Sequence, residues 1–342
     1  MVNRKFAIFL FIFIIILQVS LPTFSSEKFI KFSAVGDILL DRGIRMVIGK
    51  KGQDYPLKEI DFYLLNRDLV LGNLEGPLSE RGEALKKKYI FRGDPSDVAV
   101  LKKAGINLIS LANNHIMDYG NLALIATIEN LKNARLNPFG AGENQEEALK
   151  PVIIHKNGLT LSFFASLGYP LQIEKIDPKA SGPCQVGLDG FISALQDIRD
   201  QVDFIIVSLH WGLEYEALPH PHQIETAHRL IDNGVDLIIG HHPHVIQGIE
   251  KYRGKYILYS LGNFLFDQHG EEEKESIIFS CDFGEGGLLF PNIIPIEIIN
   301  YQTKSASKEK AEKIITKIHL DSDQGKIFFQ KNDDKYYIKE IE

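Results

Sequence analysis

A chain of 342 residues can hold one large domain or two of ordinary size, and 44% hydrophobic content marks it as globular rather than disordered. A formal net charge of −7 disfavours nonspecific nucleic-acid binding, so no nucleic acid is expected as a partner. Two cysteines, Cys184 and Cys281, exclude a disulfide framework and, without a CxxC pair, a thiolate metal site; they leave room for one bridge.

The first segment combines Arg4 and Lys5, an uncharged run over 6–17 and a small-residue exit ending at Ser25-Ser26. Residues 1–26 therefore read as a secretory signal peptide or, if retained, an N-terminal membrane anchor. Its apolar core is short for a bilayer span of about 20 residues. Either form places the rest of the chain outside the cytoplasm: secreted, periplasmic or held at the membrane.

Residues 29–35 form an apolar strand that ends at Gly36-Asp37, and helices are expected over 38–48 and 61–65. A buried strand over 69–74 closes at Glu75-Gly76-Pro77, because proline suits a strand interior poorly. The segment 86–91 reads as an edge strand whose lysines prevent further pairing. Asp94-Pro95-Ser96 caps a helix through Lys103, and Gly105 ends it. A strand over 106–112 then delivers Asn113, Asn114 and His115, followed by an amphipathic helix over 121–134.

The Phe139-Gly140-Ala141-Gly142 loop lacks the third glycine of a dinucleotide site. Asn157-Gly158 predicts a tight hairpin between strands at 152–154 and 159–165. A Gly- and Pro-rich loop spans 168–188 and could border the site. A helix within 188–202, a strand over 204–210, an amphipathic helix over 222–233 and a strand to Gly240 follow. A strand over 255–261 leads into Gly262-Asn263, and 276–282 with 288–298 predicts a hairpin of long strands. The main domain is taken as 27–300. From Tyr301 the composition shifts to a C-terminal appendage, or packed edge, with a helix over 305–318 and a strand pair over 326–339. The alternation of elements gives an α/β class.

Reactive side chains recur at strand ends, where open α/β sheets place their sites. They are Asp37, Asn73, Glu75, Asn114, His115, His210, His242, His244 and Asn263, with Glu214 as the exception to the strand-end rule. Seven of the 11 histidines lie between His210 and His244. Imidazoles fixed at a strand end suit zinc, iron or manganese. With two carboxylates and a carboxamide, these residues suffice for one or two divalent transition-metal ions. Such ions lower the pKa of bound water and clamp entering and leaving oxygens. A histidine beside them can act as general acid.

Asp118 either orients His115 or caps the next helix. Glu214 is either a further ligand or base, or a helix-start carboxylate. His241 is expected to point away from the paired ligands His242 and His244. His220 and His222 belong with the helix start, and His228 with Glu225 as a surface pair. Trp211 and Tyr215 either line a groove or pack over the strand end.

The segments VGDILL (35–40), LGNLEGPL (71–78), LANNHIMDYG (111–120), SLHWGLEYE (208–216), GHHPHVIQGIE (240–250) and SLGNFLFD (260–267) carry a resemblance. In this order they resemble the CapA family of bacterial capsule and poly-gamma-glutamate synthesis proteins. That family is in turn similar to the calcineurin-like metallophosphatases. The resemblance implies a four-layer α-β-β-α sandwich of metallophosphatase type. It implies metal ligands at Asp37, Asn114, His210, His242 and His244, with His115 catalytic. In that scheme Asp37 and His244 share one ion, while Asn114, His210 and His242 share the other.

The sequence departs from the superfamily at Leu39, where a histidine is usual, and at Asn73, where a bridging aspartate is usual. Glu75 is the carboxylate placed to substitute. The expected catalytic set is thus His115, Asp118 and Glu214, and the expected ligands are Asp37, Glu75, Asn114, His210, His242 and His244. Asn73, Asn263 and His241 support them. The implied role is extracytoplasmic, in making or exporting an anionic polymer of the capsule or poly-gamma-glutamate kind. A metal-dependent hydrolase or transferase acting on the polymer or its carrier, a calcineurin-like phosphodiesterase, and a non-catalytic polymer-binding subunit of a membrane synthesis complex are the roles open to it.

Overall fold

Strands with apolar side chains on both faces need cover on both sides. In the strand Phe29–Ile38, Ile30, Phe32 and Ala34 enter one core, while Val35 and Ile38 enter another. In the strand Phe204–His210, Phe204 and Ile206 join the first of these cores, and Ile205 and Val207 join a third. The shared core therefore lies between two sheets. Helices close the outer cores: Arg42–Lys51, Val98–Lys103 and Gly120–Asn133 on one side, Leu188–Ile198 and Pro221–Asp232 on the other. This is the four-layer α-β-β-α sandwich expected from the sequence. The structure is a computed structural model that describes residues 28–168, 177–322 and 327–340.

The ten-stranded sheet runs in the order Ile327–Asn332, Lys335–Glu340, Gly287–Ile299, Glu275–Gly284, Phe29–Ile38, Leu69–Leu74, Leu108–Ser110, Asn137–Phe139. Asn263–Leu265 pairs beside the first strand of the chain and Gln302–Ser305 beside Gly287–Ile299. The six-stranded sheet runs Ile249–Tyr252, Lys255–Leu258, Leu237–His241, Phe204–His210, Leu159–Leu167, Val152–Lys156. Register decides which polar strand ends become neighbours. Asp37 is paired with Asn73 on one side and Asn263 on the other. His210 is paired with His241.

Local chemistry explains agreements and departures. The hairpin turn has φ of 51° at Asn157 and 76° at Gly158, the left-handed pair that Asn-Gly accommodates. The first helix starts at Arg42 rather than Ile38, because Leu39 N–H still donates to Leu265 C=O at 2.8 Å. The strand expected over 106–112 is confined to Leu108–Ser110. The edge strand expected over 86–91 does not form. Leu85 N–H donates to the Asp118 carbonyl and Phe91 N–H to the Asp118 carboxylate, both at 2.8 Å, so this backbone is tied to a loop and not to a strand.

Cys184 and Cys281 are both buried and free. The C-terminal helix Lys308–Asp321 sends Ala311, Ile314 and Ile318 into the core between the sheets. Residues 1–26, read as a signal peptide or anchor, lie outside the described residues, as does part of the 168–188 loop. Among the described residues no helix is long and apolar enough to cross a membrane.

Candidate metal centre

Two glycines let neighbouring strand ends within each sheet approach closely. A Cβ at Gly36 would stand 1.9 Å from the Gly262 carbonyl oxygen, and one at Gly240 would stand 1.9 Å from the Tyr259 carbonyl oxygen. Beyond Gly240 the chain turns through His242 at φ 97° and His244 at φ 60°. Left-handed backbone at non-glycine residues is strained, and such strain gathers at functional sites.

The large sheet supplies oxygens. Asp37 is fully buried, and its Oδ1 accepts from Asn73 Nδ2 at 2.8 Å while Oδ2 accepts from His242 N–H at 3.2 Å. His241 Nδ1 stands 3.3 Å from Asp37 Oδ1 and His244 Nδ1 stands 3.6 Å from Oδ2. Burial pushes the Asp37 carboxyl up, yet the His241 ring, the neighbouring His244 ring and the Asn73 bond together hold it below its ordinary value. Glu75 goes the other way. Burial first, then the charges of Asp37, Glu214 and Asp118, hold it well above the ordinary carboxylate range.

Asn73, where the resemblance leads one to expect a bridging aspartate, works as a hydrogen-bond hub. Its Nδ2 lies 2.8 Å from Asp37 Oδ1, 3.4 Å from Glu75 Oε1 and 3.3 Å from His210 Nδ1. Its Oδ1 accepts from Asn113 Nδ2 at 3.1 Å. Leu39, at the other departure, is buried with Phe91, Phe266 and Ile298.

The small sheet supplies nitrogens. His210 Nε2 is 3.1 Å from Asn114 Oδ1, and the His210 and His242 rings are 4.6 Å apart. Burial, then the neighbouring rings of His242, His241, His244 and His115, keep His210 well below its ordinary pKa. Burial, then His244, bring His242 down to about 4 against the opposing pull of Glu214 and Asp37. Neutral imidazoles with a free lone pair are what a cation requires. His244 Nδ1 is fixed 2.9 Å from Asn263 Oδ1, the kind of outer contact that orients a ligand ring.

Two donor sets result: Asp37, Glu75 and His210, and Glu214, His242 and His244. Within each set the ligand atoms lie within 4.8 Å of one another. This grouping differs from the scheme implied by the resemblance, in that Glu214 stands with two imidazoles and Glu75 with Asp37. Residues present fit a divalent ion on a further observation. Glu75 Oε2, His241 Nε2 and His242 Nδ1 are buried without a hydrogen-bond partner. Native buried polar atoms seldom lack one. His241 does not point away as expected, since its ring lies against Asp37.

His115 completes the group. Its Nδ1 is 2.7 Å from Asp118 Oδ2, and its ring lies 4.1 Å from that of Phe91. Asp118 is fully buried and also accepts from Lys87 Nζ at 2.5 Å. So Asp118 orients His115 and does not cap the next helix.

Three residues outside the expected set also reach the site: Asn113, which the sequence places only at a strand end beside Asn114, and Lys87 and Phe91, which it places in an edge strand. Other histidines fall outside. His220 Nδ1 accepts from His222 N–H at the start of the helix Pro221–Asp232. His228 pairs with Glu250 at 2.7 Å rather than with Glu225, and stacks on Tyr252. Trp211 is buried, donating to the Tyr259 carbonyl, while Tyr215 is exposed near His244.

Fold and site together define an α/β sandwich protein with donor sets for divalent cations where the ends of its two sheets meet. The family model described as bacterial capsule synthesis protein PGA_cap matches residues 31–268, and the chain belongs to that family. The capsule biosynthesis protein CapA of Bacillus anthracis is 31% identical over 329 residues, covering 92% of this chain and 78% of that protein. The PGA biosynthesis protein CapA of Bacillus subtilis (strain 168) is 30% identical over 318 residues, covering 89% and 83%. Among solved structures, the calcineurin-like phosphoesterase YfkN from Bacillus subtilis is similar at a TM-score of 0.39 and 13% identity, covering 86% of this chain and 97% of that one.

Proposed function

We propose that the protein is a metal-dependent hydrolase or transferase acting outside the cytoplasm on an anionic polymer of the capsule or polyglutamate kind, or on its membrane carrier. Family membership supports the polymer. The chemistry rests on one observation, the two donor sets formed by Asp37, Glu75 and His210 and by Glu214, His242 and His244. The reading as a secretory signal or anchor supports the location.

A bound divalent ion would supply a Lewis acid and a water of lowered pKa. The chain does the rest. The Asp118 carboxyl group, 2.7 Å from His115 Nδ1, turns the ring so that Nε2 is left to hold or deliver a proton at the leaving group. Lys87 and the Phe91 N–H hold the Asp118 carboxylate in place. Phe91 beside His115 and Phe266 beside His244 exclude water from the two rings.

The test is metal content by plasma mass spectrometry of the purified protein beside the His242→Ala/His244→Ala double variant. The expected result is a fall of at least about tenfold, and equal content would overturn the metal centre. Turnover is then followed on polyglutamate and on a nitrophenyl phosphate diester with added manganese. Polymer turnover should fall by about 10²–10⁴-fold in His115→Ala. Diester cleavage without polymer cleavage would make the protein a phosphodiesterase. Polymer retained without turnover, and unaffected by His115→Ala, would make it a binding subunit.

A further inference from the structure

Asp267 closes the SLGNFLFD segment yet belongs to neither donor set. Its carboxylate is buried and held by two consecutive residues, Arg42 and Gly43. Arg42 Nε donates to Asp267 Oδ2 at 3.0 Å, and Arg42 Nη2 lies 2.7 Å from Oδ1. Gly43 N–H donates to the same Oδ2 at 3.1 Å. Arg42 is held at φ 54°, a strained conformation for a residue with a side chain.

A guanidinium used only as a staple would be buried with its partner. Here the Arg42 side chain is 40% exposed against 8% for Asp267. Its Nε donates to Asp267 and Nη2 stands against the other carboxylate oxygen, which leaves further guanidinium N–H donors for a second oxyanion in the planar geometry that arginine favours. The location is specific. Arg42 Cζ lies 5.3 Å over the Phe91 ring, the same ring that lies 4.1 Å from His115. Beside Phe266 a cavity of about 490 Å³, lined by Gln268, by Lys274 and Lys310 and by the carboxylates Glu271 and Glu297, gives room for further units of a chain-like ligand, with Glu271 paired to both lysines.

We infer that Arg42 is a specificity-determining residue that binds a carboxylate of the polymer next to the reacting unit, with Asp267 as its positioning residue. This rests on the polymer reading proposed above. Neither residue is a metal ligand, so their contribution is separable from metal loading.

The experiment is calorimetric titration of the manganese-loaded protein with a glutamate oligomer and, separately, with inorganic phosphate. Wild type is compared with Arg42→Met, Arg42→Lys and Asp267→Asn, with metal content and Tm measured for each. Arg42→Met should weaken oligomer binding by about 10- to 100-fold at unchanged metal content, and Arg42→Lys by less. Asp267→Asn should weaken it through loss of orientation. Should Arg42→Met fail to fold, Arg42→Lys and Asp267→Asn carry the same test.

Wild-type oligomer affinity in the arginine variants, with or without a lowered Tm, would reduce the pair to a staple and overturn the inference while the polymer reading stands. Arg42-dependent binding of phosphate and none of the oligomer would overturn both the carboxylate assignment and the polymer reading. No binding of either probe by wild type would overturn both as well.

Discussion

The two sheets bring different chemistry to one edge. The large sheet offers oxygen and carboxamide groups from Asp37, Asn73, Glu75, Asn113 and Asn114. The small sheet offers imidazoles from His210, His241, His242 and His244. The oxygen side is internally opposed, with Asp37 held below its ordinary pKa and Glu75 well above it. On the nitrogen side His210 and His242 shift together, both toward the neutral ring. One side therefore carries charge that a cation would relieve, while the other is prepared as ligand beforehand.

The largest expected effect tests the nitrogen side through pH. In chelator-treated protein, His242 titrates at about 4 when folded against 6.5 ordinarily, so the unfolded chain binds more protons between those values. Its contribution to stability is fully present above 6.5 and is lost as pH falls toward 4, by about 3 kcal/mol. Glu75 has the opposite sign. Its raised folded pKa gives stability that is present below the ordinary carboxylate value and is lost as pH rises through the folded one. Urea denaturation across this range should show a clearly shallower acid-side slope in His242→Gln. Equal slopes would break the claim that the imidazole is neutral in advance.

Next comes the oxygen side. Asn73→Asp removes the donor to Asp37 and sets a third carboxylate beside Asp37 and Glu75. The metal-free variant should be less stable by about 2 kcal/mol. Excess manganese should raise its Tm by more than it raises that of wild type. A variant as stable as wild type without metal, or a smaller manganese shift, would show that charge on this side is not what a cation relieves.

The smallest effect sharpens the boundary of the nitrogen side. His220→Ala loses a helix cap worth about 0.5–1 kcal/mol and should leave metal content unchanged. A fall in bound metal would bring His220 into the site.

Much of the fold is readable one strand at a time. The strand Leu69–Leu74 and the Asn157-Gly158 turn follow from local pattern, because burial on both faces and positive φ leave marks in adjacent residues. Every candidate ligand but Glu214 is legible in the same way, as a reactive side chain just past an apolar run. Pairing across the fold is not. Lysines at 86–88 look the same on an edge strand as on a loop tied to Asp118. His228 has Glu225 three residues away in sequence, yet its partner Glu250 comes from another element. Asn113 is one more polar residue at a strand end until the fold places it against Asn73. The grouping of Glu214 with His242 and His244 likewise depends on the path of two loops that no local pattern specifies.

The first strand, Phe29–Ile38, is flanked on one side by Glu275–Gly284, with Phe29 opposite Gly284. The family match ends at residue 268, before that partner begins. A chain emerging from the ribosome therefore cannot pair that edge until residues as far as Gly284 have been synthesised. Such sequence-distant pairing makes folding slow, and it leaves the early strand edge open to wrong partners meanwhile. A fragment cut at the family boundary would keep that open edge permanently, with every metal-site candidate present and the sheet that positions Asp37 unfinished.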